Sequence, residues 1–196
     1  MTTLIRVASL EDIPALRELI NESVRALSLA YYTPQQVESG LLHIFGVDVQ
    51  LIVDRTYFVA EVAGRIVGCG GWGKRKRLYG WDQPESNELD DLLEPSRDAA
   101  RIRAFFVHPK WSRRGIGRQI MLECEEECWN AGFQRMELVA TLSGEPLYSA
   151  LGYTKTDRTE MRTRDGKSLS AFRMEKFLGK EPRRSTQERP IAVEVK

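Results

Sequence analysis

The residue pattern with the clearest chemical meaning is the run Arg-Arg-Gly-Ile-Gly-Arg at residues 113–118. An apolar run that ends at Val107 precedes it, and helical spacing of apolar residues begins at about Gly117. In a strand–turn–helix unit, the first amides of the helix have no partner within the helix and point, with the positive end of the helix dipole, at one small volume. Gly115 and Gly117 allow phosphate oxygens to approach the backbone closely, and the arginines add positive charge. The run therefore predicts a site for a phosphate-containing ligand.

Two common nucleotide-binding motifs do not match this run. A P-loop ends in Gly-Lys-Ser or Gly-Lys-Thr, and that ending is missing here. A dinucleotide-binding turn has a third glycine and an acidic residue about 20 positions later, inside a regular βαβ unit. Here the third glycine is missing and the turn lies in the middle of the chain. The motif alone therefore leaves the phosphate ligand unidentified.

The composition is that of an ordinary globular domain. The chain of 196 residues has 29 basic and 28 acidic side chains, which gives a net charge of +1. A general nucleic-acid-binding protein has a clear basic excess, so no nucleic-acid partner is expected. Three cysteines are too few for a disulfide framework, and the sequence shows neither a signal peptide nor an apolar stretch of membrane-spanning length. We expect a cytoplasmic protein that has no membrane partner.

The predicted elements follow the order strand, two helices, hairpin, strand, helix, strand, helix and strand pair. Residues 33–36 form a capping box that begins the second helix, and the polar residues 74–99 are predicted to form a long loop. This order predicts an α/β fold with a mixed sheet, in one domain over residues 1–178. Residues 179–196 are charged and poor in apolar side chains, so we expect a disordered tail.

Two motifs in series make the prediction more specific. Residues 102–109 followed by 114–117, and residues 146–153 further downstream, resemble the GCN5-related N-acetyltransferases (GNAT). The resemblance spans about residues 4–177. It implies a central, mostly antiparallel sheet with a splayed strand pair and flanking helices. It also implies an N-acetyltransferase that transfers an acetyl or longer acyl group from acetyl-CoA or another acyl-CoA to an amine without a metal, and that forms a homodimer.

The resemblance assigns roles to individual residues. The main chain of Phe105, Phe106 and Val107 would pair with the pantetheine arm, and the Val107 N–H would polarise the thioester carbonyl. Tyr148 falls where the family often has a tyrosine that protonates the departing thiolate. The pyrophosphate would be bound by the glycine–arginine run, whose residues are Arg113, Arg114, Gly115, Ile116, Gly117 and Arg118.

The acceptor side is less defined by the sequence. Tyr31 and Tyr32 lie between the first two predicted helices, where this family commonly forms its acceptor pocket, and Trp72 and Arg103 are further candidates. Core packing explains Tyr31 and Tyr32 about as well. Small amines, antibiotics, amino acids, protein N-termini and lysines all remain open as acceptors, because variable loops recognise them.

Two positions depart from the family pattern. Ser112 stands where Gln or Arg is usual, and a neighbouring arginine can supply the charge. Many members have a carboxylate on the central strand that activates the amine through water, whereas this chain has Arg101 and Arg103 there. The identity of the general base is therefore open. It could be a carboxylate elsewhere, such as Glu61, or no base is needed because the amine arrives neutral. The two arginines would instead favour an acceptor with a negative group.

Several of these side chains also fit a purely structural role. Tyr148 could be a packing tyrosine. Cys124 and Cys128 lie one helical turn apart, but the chain has only two histidines and no full metal-ligand set is visible, so core packing is favoured. The basic residues 74–77 fit a solvated loop, a contact to the outer phosphate of the cofactor, or a nucleic-acid contact. Two alternative functions are therefore an acyl-CoA-binding sensor or scaffold without turnover, and a nucleic-acid-associated protein.

Overall fold

The structure is a computed structural model of the chain and describes residues 2–76 and 91–179. The helices of this part are α1 (Ile13–Ser28), α2 (Pro34–His43), α3 (Val49–Val53), α4 (Ile116–Asn130) and α5 (Glu145–Ala150). The strands are β1 (Leu4–Val7), β2 (Tyr57–Val62), β3 (Arg65–Gly73), β4 (Ala100–Val107), β5 (Arg135–Thr141), β6 (Thr154–Arg162) and β7 (Ser168–Phe177).

The strands of the described residues form one seven-stranded sheet in the order β1-β2-β3-β4-β5-β7-β6. Neighbouring strands are antiparallel except β4 and β5, which are parallel. This parallel pair is short, because Ala100 is opposite Met136, Arg101 is opposite Glu137, and no later residues pair. The two strands then diverge and leave a gap in the middle of the sheet. The mixed α/β fold and the splayed strand pair predicted from the sequence are confirmed.

Helices cover both faces of this sheet. Tyr57 and Val59 point to the face that packs against α1, α2 and α3, and Phe58 and Ala60 point to the face that packs against α4. This division follows from the alternation of side chains along a strand. The gap between β4 and β5 therefore connects two separate hydrophobic cores.

The helix boundaries agree with the local sequence signals. In α1 the buried side is Leu16, Leu19, Ile20 and Val24, at the spacing of one helix face. The capping box predicted for α2 forms, since the Gln36 N–H donates to Thr33 Oγ1 and the Thr33 N–H donates to Gln36 Oε1.

Three features differ from the predictions or lie beyond them. Helix α3 was not predicted, because five residues are too few to show a helical period. The predicted loop is not wholly irregular, since Arg75 forms an isolated bridge with Leu92. The predicted tail lies outside the described residues apart from Gly179, and so do residues 77–90 of the loop. None of the helices in the described ranges has the length and apolar character needed to cross a bilayer.

Candidate active site

A bulge near the end of β4 shapes the edge of the gap. Cys69 is opposite Phe106 and Gly71 is opposite Arg103, so two residues of β4 are opposite Gly70 alone. One of these two, Ala104, has a φ of 54°, which is unusual for a residue other than glycine. A Cβ at Gly70 would lie 2.5 Å from the Phe105 ring, so the bulged chain can cross β3 here only because position 70 is glycine.

The hydroxyl of Tyr57 holds this bulge in place. Tyr57 is fully buried, and its hydroxyl lies 3.1 Å from the Ala104 carbonyl oxygen and 3.2 Å from Cys69 Sγ. The hydroxyl donates to both acceptors, and the Cys69 thiol has the same Ala104 carbonyl as its acceptor at 3.9 Å. The hydrogen bond from Tyr57 gives the carbonyl of Ala104, the residue with positive φ, a partner in the core.

The bulge leaves the Val107 amide facing the gap. The next amide, that of His108, donates to the Val67 carbonyl of β3 at 2.9 Å. Successive amides of a strand point to opposite edges, so the Val107 N–H points away from β3 and towards β5. Because β5 pairs only with Ala100 and Arg101, the Val107 amide is in a position to bind a ligand in the gap.

The glycine–arginine run forms the turn into α4 as predicted. Arg113 and Gly115 have φ values of 61° and 83°, and Gly115 is the N-cap of the helix. Arg113, Arg114 and Arg118 are exposed, whereas Ile116 is buried against the sheet. The first amides of a fifteen-residue helix and three exposed arginines thus lie at one end of the gap.

Two glycines allow α4 to lie close to the gap. A Cβ at Gly68 of β3 would be 2.6 Å from Ile116 Cγ2, so this glycine makes room for the first turn of α4. A Cβ at Gly117 would be 2.9 Å from Leu147 Cδ2 and 3.7 Å from Val107 Cγ2. Any side chain at position 117 would therefore enter the space between α5 and the end of β4.

A cavity of about 220 Å³ occupies the gap. Its walls come from both faces of the sheet: Val24 and Leu27 of α1 on one side, and Leu147 and Tyr148 of α5 on the other. The residues of β4 that line it are Ile102, Arg103, Ala104, Phe105, Phe106 and Val107. The cavity therefore passes through the sheet, beside the Val107 amide.

Tyr148 is a buried member of the cavity wall. Its ring meets that of Phe105 edge to face, with 6.2 Å between centroids. Burial is the main cause that raises the pKa of Tyr148, with a smaller effect from Cys124, so the phenol is protonated at neutral pH. Among the described residues no hydrogen bond engages its hydroxyl. Such a hydroxyl has a proton to donate to a ligand in the cavity.

Asp48 is a cavity residue that the sequence analysis missed. It caps α3, where its Oδ1 accepts from the Leu51 N–H at 3.4 Å, and it forms an ion pair with Arg103 of β4. Both side chains are only 4% exposed, and both line the cavity. The one available signal was an Asp placed before a short apolar run, which indicates a helix cap and nothing more.

Three of the predicted acceptor residues do not line the cavity. Tyr31 is exposed on the surface. The Tyr32 hydroxyl donates to the Ser170 carbonyl at 2.7 Å and accepts from the Leu142 N–H at 2.8 Å, so it joins three segments of the core. Trp72 is buried against Phe133 at the α4 side of the sheet.

The predicted bases and charges are arranged differently from the expectation. Glu61 accepts hydrogen bonds from Arg6 and is not part of the cavity wall, so it is not placed to act on a ligand there. Arg101 pairs with Glu137, and Arg103 pairs with Asp48. Neither arginine therefore adds a net positive charge that would favour an anionic acceptor.

Cys124 and Cys128 are fully buried free thiols in the core beneath α4. Within residues 2–76 and 91–179 no group of three or more His, Cys, Asp or Glu side chains is arranged to hold a metal ion.

The family model for the acetyltransferase (GNAT) domain matches residues 53–155, which is more than half of the chain. The chain belongs to the GCN5-related N-acetyltransferase family. The matched residues contain the β4 bulge, the glycine–arginine run and Tyr148, whereas α1, α2 and Asp48 precede them. No curated protein sequence matches the chain significantly.

Solved structures show the same fold. A GCN5-related N-acetyltransferase from Rhodopseudomonas palustris is 18% identical, with a TM-score of 0.67 over 91% of this chain and 97% of that one. The PaiA N-acetyltransferase of Thermoplasma acidophilum, solved with coenzyme A, is 18% identical, with a TM-score of 0.63 over 90% and 99%. YncA of Salmonella typhimurium, a putative acetyltransferase solved with acetyl-CoA, is 18% identical, with a TM-score of 0.59 over 92% and 96%.

Proposed function

We propose that this GNAT protein is an N-acetyltransferase that moves the acetyl group of acetyl-CoA to a primary amine by direct attack. The observation that supports this most strongly is the position of the Val107 amide, which faces a cavity between the splayed strands β4 and β5. Tyr148 lies in the wall of this cavity, and Gly117 of α4 lies beside the wall residues Leu147 and Val107.

The co-substrate would bind along β4. Amides at the start of α4 and the exposed Arg113, Arg114 and Arg118 would hold the pyrophosphate. The pantetheine arm would then enter the gap and pair with the main chain around Val107, in the place that β5 leaves unfilled. Two solved relatives of the same fold, from Thermoplasma acidophilum and Salmonella typhimurium, contain coenzyme A and acetyl-CoA, which supports this class of co-substrate.

The reaction would use two groups on the cavity wall. The amine nitrogen attacks the thioester carbonyl, and the Val107 N–H stabilises the oxyanion that develops; one such donor is worth about 3–4 kcal/mol. The C–S bond then breaks and the thiolate takes the Tyr148 proton, a contribution of roughly 10²–10⁴-fold or below, since a thiolate is already a fair leaving group.

Titration of the purified protein with acetyl-CoA in a calorimeter tests the co-substrate, with NAD and ATP as controls. Saturable binding of acetyl-CoA alone, followed by release of free thiol when amines are added, is the expected result. Binding of neither acetyl-CoA nor longer acyl-CoAs would overturn the proposal. Binding without thiol release from any amine would favour an acyl-CoA sensor instead.

A further inference from the structure

We propose that Ser23 and Ser28 of α1 select the acceptor by binding a neutral hydrogen-bonding group, a hydroxyl or a carboxamide, on an amine whose body is apolar. This inference rests on the proposed function and deepens it, because it names the class of acceptor for the same cavity. The two serines lie on the face of the sheet opposite α4, whose first turn and arginines would hold the co-substrate.

Both serines are buried in the protein and line the cavity. Ser23 is 4% exposed and Ser28 is 5% exposed. A serine within a helix usually points to solvent or bonds a backbone carbonyl of the preceding turn. Neither serine does so here, since within residues 2–76 and 91–179 no hydrogen bond engages either hydroxyl. Each hydroxyl therefore has a proton to donate and lone pairs to offer to a ligand in the cavity.

Other hydroxyls in and near the cavity wall already have partners. Thr141 Oγ1 lies 3.1 Å from Ser143 Oγ and accepts from the Gly144 N–H at 3.1 Å. Ser39 of α2 is as deeply buried as the two serines of α1 but lies away from the cavity, and its hydroxyl donates to Asp165 Oδ1 at 2.6 Å. The unused hydrogen-bonding capacity on this side is thus found where a ligand could use it.

The surface between the two serines is apolar. Val24 and Leu27 lie on the same side of α1 and also line the cavity, and Ile44 and Phe45 add further apolar wall. Ser23 and Ser28 are five positions apart, which separates them by about 7.5 Å along the helix axis. A ligand that suits this wall has an apolar body and carries a polar group where it meets one of the hydroxyls.

The charges of the cavity wall favour a polar group without charge. Asp48 and Arg103 are the acidic and basic residues among the described residues that line the cavity, and they form an ion pair with each other. The wall therefore has no net charge. A second charged group on the acceptor would lose its water without gaining an opposite charge, whereas a neutral group needs only hydrogen bonds to replace those with water.

A contact at the end of β4 holds α1 in place beside the cavity. His108 directly follows Val107, and its Nε2 lies 2.9 Å from Oε2 of Glu22. Glu22 directly precedes Ser23 on α1. The helix that carries the two hydroxyls is thus joined to the strand whose Val107 amide would bind the thioester, and this fixes the distance between the polar group and the reacting amine.

Two pairs of acceptors of nearly equal shape test this recognition. A series of linear primary amines of increasing length carries at the far end a hydroxyl or a methyl group, and in the second pair a carboxamide or a carboxylate. An apolar wall favours methyl over hydroxyl unless a partner is present. The wild-type protein is expected to have the higher kcat/KM for the hydroxyl at one or more lengths, and for the carboxamide at every length that it accepts.

Ser23→Ala, Ser28→Ala and the double variant locate the partner. The ratio of kcat/KM for hydroxyl over methyl should fall by about three- to tenfold in the double variant and in the single variant whose serine binds the group, as expected for one neutral hydrogen bond. Ser23→Ala should not lower the urea midpoint of unfolding, because alanine favours a helix more than serine does and no bond is lost.

Ser39→Ala is the matched control. It also removes a buried hydroxyl from a helix, but that hydroxyl has a partner in Asp165 and lies outside the cavity wall. This variant should lower the urea midpoint and leave the hydroxyl-over-methyl ratio as in the wild type. The opposite pattern of effects, on stability but not on the ratio, would mark Ser23 and Ser28 as structural residues.

Several results would overturn the inference and leave the proposed function intact. These are an unchanged ratio in the double variant, a wild-type preference for methyl at every length, a preference for the carboxylate, and acetylation of no member of the series. The two wild-type comparisons hold even if a variant does not fold. All of these results are compatible with acetyl-CoA binding, whereas failure of the acetyl-CoA titration overturns the proposed function itself.

Discussion

The hydroxyl of Tyr57 provides a test of how the β4 bulge is held. Replacement by Phe keeps the ring and removes only the donor to the Ala104 carbonyl, which lies 3.1 Å away. Tyr57 is fully buried, and Ala104 is half-buried in the cavity wall, so the bond lies where the core meets the cavity. The Cys69 thiol is a poor substitute, because its sulfur is 3.9 Å from the same carbonyl oxygen.

The expected loss of unfolding free energy in Tyr57→Phe follows from two costs. A carbonyl that loses its partner in the core costs about 1–3 kcal/mol, and the half-buried position of Ala104 favours the lower part of this range. A left-handed conformation for a residue such as Ala104, with its φ of 54°, costs roughly 1–2 kcal/mol, and the native bond helps to maintain it. We expect Tyr57→Phe to lower the free energy of unfolding by about 1–3 kcal/mol. If the bulge relaxes, acetyl-CoA binding also weakens, by about 100-fold at most.

Urea denaturation gives the free energy of unfolding, and calorimetric titration gives the acetyl-CoA affinity. Tyr153→Phe is the matched control, because Tyr153 is also buried but its hydroxyl lies beside the sulfurs of Met121 and Met136, at 3.4 and 3.5 Å. Thioethers are weak acceptors, so this variant should lose less than about 1 kcal/mol. Equal losses in the two variants, or a Tyr57→Phe protein as stable as the wild type, would refute the reasoning.

Three further predictions concern the site and the stability of the fold. Tyr148→Phe should lower kcat by roughly 10²-fold or less with the acetyl-CoA affinity unchanged; an unaltered rate over the whole pH range would show that Tyr148 is structural. Gly117→Glu should abolish acetyl-CoA binding, since its side chain enters the space beside Leu147 and places a carboxylate near the expected pyrophosphate. The neutral Gly117→Gln variant should bind acetyl-CoA more tightly than the Glu variant. Unchanged affinity in a folded Glu variant would contradict the site. A hydrogen bond from Arg6 is the main cause that lowers the pKa of Asp12. The ionised Asp12 therefore stabilises the fold at pH values above its unfolded-state pKa of about 3.9, and this stabilisation is lost as the pH falls below that value. The difference in unfolding free energy between wild type and Asp12→Asn should therefore shrink from pH 6 to pH 3, and a constant difference would rule out this linkage.

The sequence by itself was sufficient wherever neighbours in the chain decide the structure. The capping box at residues 33–36 formed because its bonds join residues three positions apart. The glycine–arginine run formed the turn into α4 because glycine tolerates a φ of 83° and the helix amides after it are unpaired in any context. These signals are local, and together with residues 146–153 they were enough to indicate the family and the fold.

The tertiary structure alone decided the Asp48–Arg103 ion pair in the cavity wall and the geometry of the bulge. Asp48 and Arg103 meet in the cavity wall although they are far apart in the chain, and nothing near either residue in the sequence records that contact. The positive φ of Ala104 has no local signal either, since alanine does not prefer it, and it depends on Gly70 opposite and on the Tyr57 hydroxyl. Both features arise from contacts between residues far apart in the chain, whose meeting is set by strand register and helix packing rather than by the conformational preference of any one residue.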